Sequence, residues 1–338
     1  MKTSLFSFDL PEELIAQEPL KDRESARLLV VDRAAASLCD SHVDQLPRWV
    51  EPGTLVVLND TRVRKARLFA DGPGGGRMEF LLLERRSAEV WETLAGRTRR
   101  LKTAKTFRFP EGVAGEISPA PGGVHLIRFN PPIDEAYLER HGHVPLPPYI
   151  RRPDTNTDAE MYQTVFARVM GSAAAPTAGL HFTPGLLAAL EAAGAAIGYV
   201  TLHVGLGTFL PIRTENIEDH VMHEEAYSIP HRTKGLVEEA LAGPKPILAV
   251  GTTVVRALES AWQDGGLREG EGRTKIYIYP GFRFKVVSRL FTNFHTPGSS
   301  LLALVCGFAD RQLILHAYRE AVERRYRFFS YGDAMLIR

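Results

Sequence analysis

Short apolar runs bounded by Gly, Pro, Asn or Asp recur along the chain. "GTLVVLND" (53–60), "AAIGYVTLHV" (195–204) and "PILAV" (246–250) have the continuous hydrophobicity of strands buried on both faces. "RLFTNFH" (289–295) reads as another strand, and "RTKIYIYPGFRFKVV" (273–287) as strands around a Pro-Gly turn. Between them the period changes. Helices are expected at 184–193, 233–243, 253–262, 299–309 and 311–325. Thr183 and Pro184 supply an N-cap and a first helical residue, and Gly194 a stop. "YRFFSYGDAMLI" closes the chain as a strand-like segment.

From 66 to 150 the pattern differs. "ARLFA", "RMEFLLLE", "AEVWETLAG", "KTFRF", "GEIS" and "VHLIRF" are short, alternating and separated by turn residues such as "DGPGGG". This predicts an inserted antiparallel β-barrel, left through the Pro-rich "HVPLPPYIRRP" (143–153). The expected fold is therefore a mixed-sheet α/β domain, discontinuous over 1–65 and 151–338, with a β-barrel domain at 66–150.

Composition narrows the class. A chain of 338 residues with 44% hydrophobic and 24% charged positions has room for two ordinary soluble domains. No apolar run reaches membrane-span length, and "MKTSLFSFDLPEEL" turns acidic too early for a signal peptide. Cys39 and Cys306 are the only cysteines, which fits a reducing cytoplasm better than a disulfide scaffold. The net charge of +1 makes no global case for nucleic acid. Locally the picture changes. Between 77 and 108 stand nine Arg and Lys, among them Arg99, Arg100, Lys102 and Lys105, against four Glu. Trp91, Phe107 and Tyr149 are nearby in sequence, and Arg151 and Arg152 follow, a composition suited to an RNA backbone.

Candidate chemistry concentrates in loops of small polar residues. "PTAGLHFT" (176–183), "VGTTVVR" (250–256) and "TNFHTPGSS" (292–300) each run into a helix, whose free N–H groups suit carboxylate or phosphate. "HVGLGTFLP" (203–211) follows a strand without an immediate helix. Neither GxGxxG nor a Walker A sequence is present. His181, His203 and His295 lie in these loops. Three histidines permit a zinc-hydrolase reading, although no HExxH or CxxC spacing supports it, and each has a buried structural histidine as its alternative. "EDHVMHEEAYSI" (218–229) sets His220 and His223 among carboxylates and reads as a solvated turn. Arg256 and Glu259, three apart on a helix, read either as an ion pair or as site residues.

Taken together, "FDLPEELIAQEPL", "LVVLNDTRV", "VPLPPYIRR", "YQTVFA", "AAPTAGLHFT", "TLHVGLGTF", "EDHVMHEE", "AVGTTVVRALES", "YIYPGFRFKVV", "TNFHTP" and "YRFFSYGDAMLI" resemble the S-adenosylmethionine:tRNA ribosyltransferase-isomerase family, in family order over residues 8–337. The resemblance implies an α/β domain with an inserted β-barrel. It implies transfer and isomerisation of the ribosyl part of S-adenosylmethionine onto 7-aminomethyl-7-deazaguanine at the tRNA wobble position, giving epoxyqueuosine-tRNA, adenine and methionine. S-adenosylmethionine is then a substrate, and no prosthetic group or metal is expected. The partner is a tRNA with a GUN-type anticodon, and the enzyme is expected to be a cytoplasmic monomer. A rival reading is a tRNA-binding module without catalysis.

Within that resemblance, motif position and residue type nominate His181, His203 and His295 as acid/base groups, with Glu259 and Asp333 as alternative bases. Substrate contacts fall on Thr61, Arg62, Tyr149, Pro176, Thr177, Ala178, Gly179, Gly205, Gly207, Thr208, Gly251, Arg256 and Asn293. The amides of Thr252 and Thr253 suit the methionine carboxylate. Phe182, Phe209 and Tyr331 suit stacking on a base. Contacts to tRNA fall on Arg64, Lys65, Arg99, Arg100, Lys102, Lys105, Arg151 and Arg152. Arg64-Lys65 stands where the family commonly has Ile-Pro, and Thr296 and Gly298 depart from the usual "NFHLPKS".

Overall fold

The computed structural model describes residues 1–72, 74–96, 105–120, 124–205 and 211–338. Six of the candidate residues, Arg99, Arg100, Lys102, Gly207, Thr208 and Phe209, lie outside the described residues.

Among the described residues a nine-stranded mixed sheet carries the α/β part. Its order is Gly270–Thr274, Glu225–Ile229, Ala196–Leu202, Leu55–Asn59, Ile247–Val250, Arg289–Asn293, Ala334–Ile337, Arg27–Asp32 and Ser37–His42. The four strands from Ala196–Leu202 to Arg289–Asn293 run parallel, with Val57 beside Gly198 and Ala249. Successive residues of "LVVL" serve opposite faces. Leu55 and Val57 pack on the helices His231–Ala242, Thr252–Ala261, Ser300–Phe308 and Arg311–Glu323. Val56 and Leu58 pack on the helix Pro184–Ala192 and the short helix Leu46–Trp49. Both faces are covered, which is why these strands are apolar throughout. Asp310, Ser299 and Thr183 cap three of the helices by accepting hydrogen bonds from N–H groups of the first turn.

The inserted part is a closed six-stranded antiparallel barrel of Arg67–Asp71, Arg77–Arg85, Val90–Ala95, Lys105–Arg108, Ala114–Pro119 and His125–Asn130. Alternate residues fill it, with Phe80, Trp91, Phe107, Phe109 and Phe129 at its centre.

Two segments differ from the pattern-based expectation. "RLLVVD" (27–32) and "SLCDSH" (37–42) add a hairpin at one sheet edge. In contrast, 275–288 forms no strand. The N–H groups of Lys285, Val286 and Val287 donate to the Glu259 carboxylate at 2.9–3.0 Å, so they are not free for a ladder.

The parallel strands end on one side. That edge brings together Asn59–Thr61, His203, Gly251–Thr253 and Asn293–His295, where open α/β sheets bind ligands.

Candidate active site

A cleft of about 1760 Å³ opens between the barrel and the α/β part. This exceeds the roughly 300–1000 Å³ of an ordinary small-molecule pocket. The barrel contributes Arg67, Arg77, Glu79 and Arg86 to its walls, and the α/β part His203, Gly205, Arg213, Glu225 and Arg273.

His203 is held there by its neighbours. Asn59 accepts the N–H groups of Thr61 and Leu202 at 3.1 and 3.0 Å and donates to the Leu202 carbonyl at 3.0 Å, so two strand ends are locked together. The Thr61 hydroxyl then lies 2.7 Å from His203 Nδ1. Nε2 has no hydrogen-bond partner among the described residues. A Cβ at Gly171 would come within 2.8 Å of the ring, so only glycine leaves the imidazole its place. Burial lowers the His203 pKa; Arg64 adds to this and Asp60 opposes it. Asp60 is fixed by the Thr201 hydroxyl at 2.6 Å and by Arg168 at 2.8 Å.

The other two histidines do not line this cleft. His181 is buried, with Nε2 3.1 Å from Asn293 Nδ2 and its ring against Phe291. His295 is buried, with Nε2 2.9 Å from Thr292 Oγ1, and its N–H donates to the Tyr318 oxygen. Burial pushes their pKa values down to about 4 and about 3. Among the described residues no group of three His, Cys, Asp or Glu is placed to hold a metal ion, so the constellation a zinc hydrolase needs is not assembled there.

These depressed values have a consequence for acid stability. The unfolded chain protonates histidine near pH 6.5, roughly the free value, while the fold keeps both rings neutral. Stability is complete above that pH and falls as pH drops from about 6.5 towards 4, because the unfolded state then binds more protons. The expected loss by pH 4.5 is roughly 2–3 kcal/mol per histidine. Urea midpoints at pH 7 and 4.5 measure it, and His181→Asn should remove its share of the difference.

The two proposed carboxylate bases are engaged by main chain. Glu259 accepts three N–H groups, as above, and burial raises its pKa. Asp333 accepts the N–H groups of Arg27 at 2.9 Å and Arg327 at 2.7 Å, and burial raises its pKa too. Phe182 is fully buried against Phe291, ring centroids 5.4 Å apart, and offers no stacking face to the cleft. Tyr331 donates to Asp158 at 2.7 Å. Tyr149 packs on Phe329 and lies 2.6 Å from the Ser330 hydroxyl.

The turn Thr177–His181, reached through Pro176, is closely packed. Ala178 belongs to the core, and a Cβ at Gly179 would come within 2.9 Å of Phe166 and Thr164. Gly251 adopts φ +94, which L side chains rarely do, and begins the helix Thr252–Ala261. Thr252 and Thr253 form its first turn, and the buried Thr253 hydroxyl and Asn293 Oδ1 have no hydrogen-bond partner among the described residues.

Arg256, one turn further on, is 2% exposed and pairs with Glu225 at 2.5 Å. Glu225 also accepts the Gly205 N–H at 3.0 Å. Sequence reasoning left Glu225, Gly171, Arg213 and Arg273 out of the site, though "EDHVMHEEAYSI" contains the first.

Among the tRNA candidates, Arg64, Arg151 and Arg152 line the cleft. Arg64 pairs with Glu135 at 2.7 Å and lies over the Trp91 ring; Lys65 pairs with Glu139 at 3.0 Å. Arg151 pairs with Glu12, both well exposed. Arg152 grips Asp158 at 2.6 and 2.8 Å. Burial opposes ionisation of Asp158, yet Arg152 and Tyr331 outweigh it and hold the carboxyl well below its usual range. Arg62 is exposed in the strand Thr61–Val63, and Lys105 begins a barrel strand.

The chain matches the family model described as queuosine biosynthesis protein over residues 3–337. It is 48% identical to the S-adenosylmethionine:tRNA ribosyltransferase-isomerase of Treponema denticola, covering 100% of both chains. It is 49% identical to the protein of that name from Rubrobacter xylanophilus, covering 100% of this chain and 98% of the relative. The crystal structure of S-adenosylmethionine tRNA ribosyltransferase from Thermotoga maritima is similar with a TM-score of 0.59 and 35% identity, over 99% of this chain and 100% of that one. Family match, full-length identity and shared fold agree: the chain belongs to the queuosine biosynthesis protein family.

Proposed function

We propose that this protein transfers the ribosyl part of S-adenosylmethionine to 7-aminomethyl-7-deazaguanine at the wobble position of a GUN-anticodon tRNA and isomerises it, giving epoxyqueuosine-tRNA. The observation that carries this reading is the cationic cleft with His203 at its wall. It is large enough for a nucleotide beside a second substrate.

The sulfonium acidifies the neighbouring C5′ protons. His203, neutral because its pKa is lowered, takes one through Nε2 while Thr61 orients the ring. Adenine leaves with the proton that His203 returns, the aminomethyl group attacks as a neutral amine and gives up one proton in turn, and epoxide closure breaks the carbon–sulfur bond and expels methionine. The helix start at Thr252 and Thr253, with the unpartnered Thr253 hydroxyl and Asn293 Oδ1, is buried and stands outside the cleft lining, so it is assigned no substrate contact. It lies two strands from His203, roughly 10 Å at sheet spacing. Gly205 lets the substrate approach the main chain beside Glu225. Glu259 and Asp333 act as positioning residues that hold loops, and His181 and His295 as neutral core groups.

Arg64 and Arg151 exchange their exposed acidic partners for phosphates when tRNA docks, and Lys65 does so on the adjoining surface. Arg152 stays with Asp158. The enzyme works as a cytoplasmic monomer, with no prosthetic group. Adenine release from S-adenosylmethionine that requires the modified tRNA tests the reading.

A further inference from the structure

The loop 220–224 has no part in the chemistry above, yet it forms one lip of the cleft. Met222, His223, Glu224 and Glu225 line the cleft in succession. Val221, just before them, is 80% exposed, against at most 45% for the other exposed large hydrophobics among the described residues. A single exposed aliphatic side chain on a surface needs no explanation. This one is held in place on both sides. The His220 ring packs edge-on against Tyr277 at 5.3 Å, and its N–H donates to the Ile217 carbonyl at 3.1 Å. Met222 is buried. The lip therefore presents Val221 to solvent from a fixed frame.

The surroundings say what meets it. Arg213, Arg273 and Lys275 line the same cleft. Arg213 is exposed and has no ion pair among the described residues. Arg273 and Lys275 share Glu224, at 2.5 and 3.7 Å, and Arg273 also pairs with Glu84 of the barrel at 3.4 Å, so Arg213 is the cation of the three without an acidic partner among the described residues. A fixed aliphatic tip on the lip of a cleft that also holds the unpaired Arg213 complements a nucleic acid whose bases are unstacked, since a phosphate satisfies the cation and a base face satisfies the tip. An enzyme that works on a base must take it out of its stack and leave the neighbouring base uncovered.

We propose that Val221 is the wedge that covers this uncovered base of the anticodon loop while the wobble nucleotide occupies the cleft. The inference rests on the functional reading above.

The test compares Val221→Gly and Val221→Leu with the parent enzyme, using the modified tRNA. Val221→Gly should raise KM for tRNA about tenfold, from the lost valine burial, with KM for S-adenosylmethionine and kcat close to parental. Val221→Leu should stay near the parent. In an anticodon stem-loop carrying 2-aminopurine beside the wobble position, the parent should change the probe's fluorescence on binding and the glycine variant should change it less. A tRNA KM within about twofold of the parent, with the same fluorescence change, would overturn the wedge. If the parent itself made no product, the functional reading beneath it would fall instead.

Discussion

Replacing His203 with alanine is expected to lower kcat by roughly 10² to 10⁴, the usual contribution of a positioned acid/base group. The expectation follows from placement. His203 lines the cleft, its Nδ1 is engaged by Thr61, and its pKa is lowered so that the basic form persists into acid. Its kcat/KM should therefore be full above the folded pKa and fall as pH drops through it, with the acid limb below the free histidine value of roughly 6.5. Substitution of His181 or His295 should act through stability, since both rings are buried away from the cleft lining. Steady-state kinetics against pH for the three alanine variants separates these cases. Unchanged kcat in the His203 variant would remove it from the reaction.

Glu225→Ala is expected to destabilise the fold by roughly 3–5 kcal/mol, because it leaves Arg256 buried and uncompensated. Arg256 has little else to turn to: its Nε and Nη2 have no hydrogen-bond partner among the described residues. A buried pair is not itself strong evidence of net stabilisation, since desolvation offsets the attraction. The double variant Glu225→Met with Arg256→Met should thus recover most of the loss, as both charges go and similar volume stays. Urea unfolding of the single and double variants measures this. A single-variant loss under about 1 kcal/mol would mean that Arg256 finds solvent or another partner.

The central strands were legible because they are buried on both faces, which leaves a continuous apolar signature in "LVVL" and "ILAV". The barrel was legible from its alternation and turns. The 275–288 segment was not, because its aromatic alternation reflects packing of Tyr277, Tyr279, Phe282 and Phe284 on the core, while Glu259 takes the amides. The site was harder to read than the fold. All four small-residue loops look alike in sequence, since Gly, Thr and Ala serve close packing and ligand approach equally. "PTAGLHFT" is closely packed: Ala178 joins the core and Gly179 makes room for Phe166. "HVG" reaches the cleft because the barrel stands opposite it. That opposition is tertiary, and so is the meeting of Glu225 with Arg256; neither leaves a local pattern.

The most direct test is adenine release from S-adenosylmethionine, measured with tRNA that carries 7-aminomethyl-7-deazaguanine and with the same tRNA lacking it. The account predicts release only with the modified tRNA, in step with appearance of the epoxycyclopentanediol on that base. Release independent of the modified base, or none from folded protein supplied with both substrates, would contradict it.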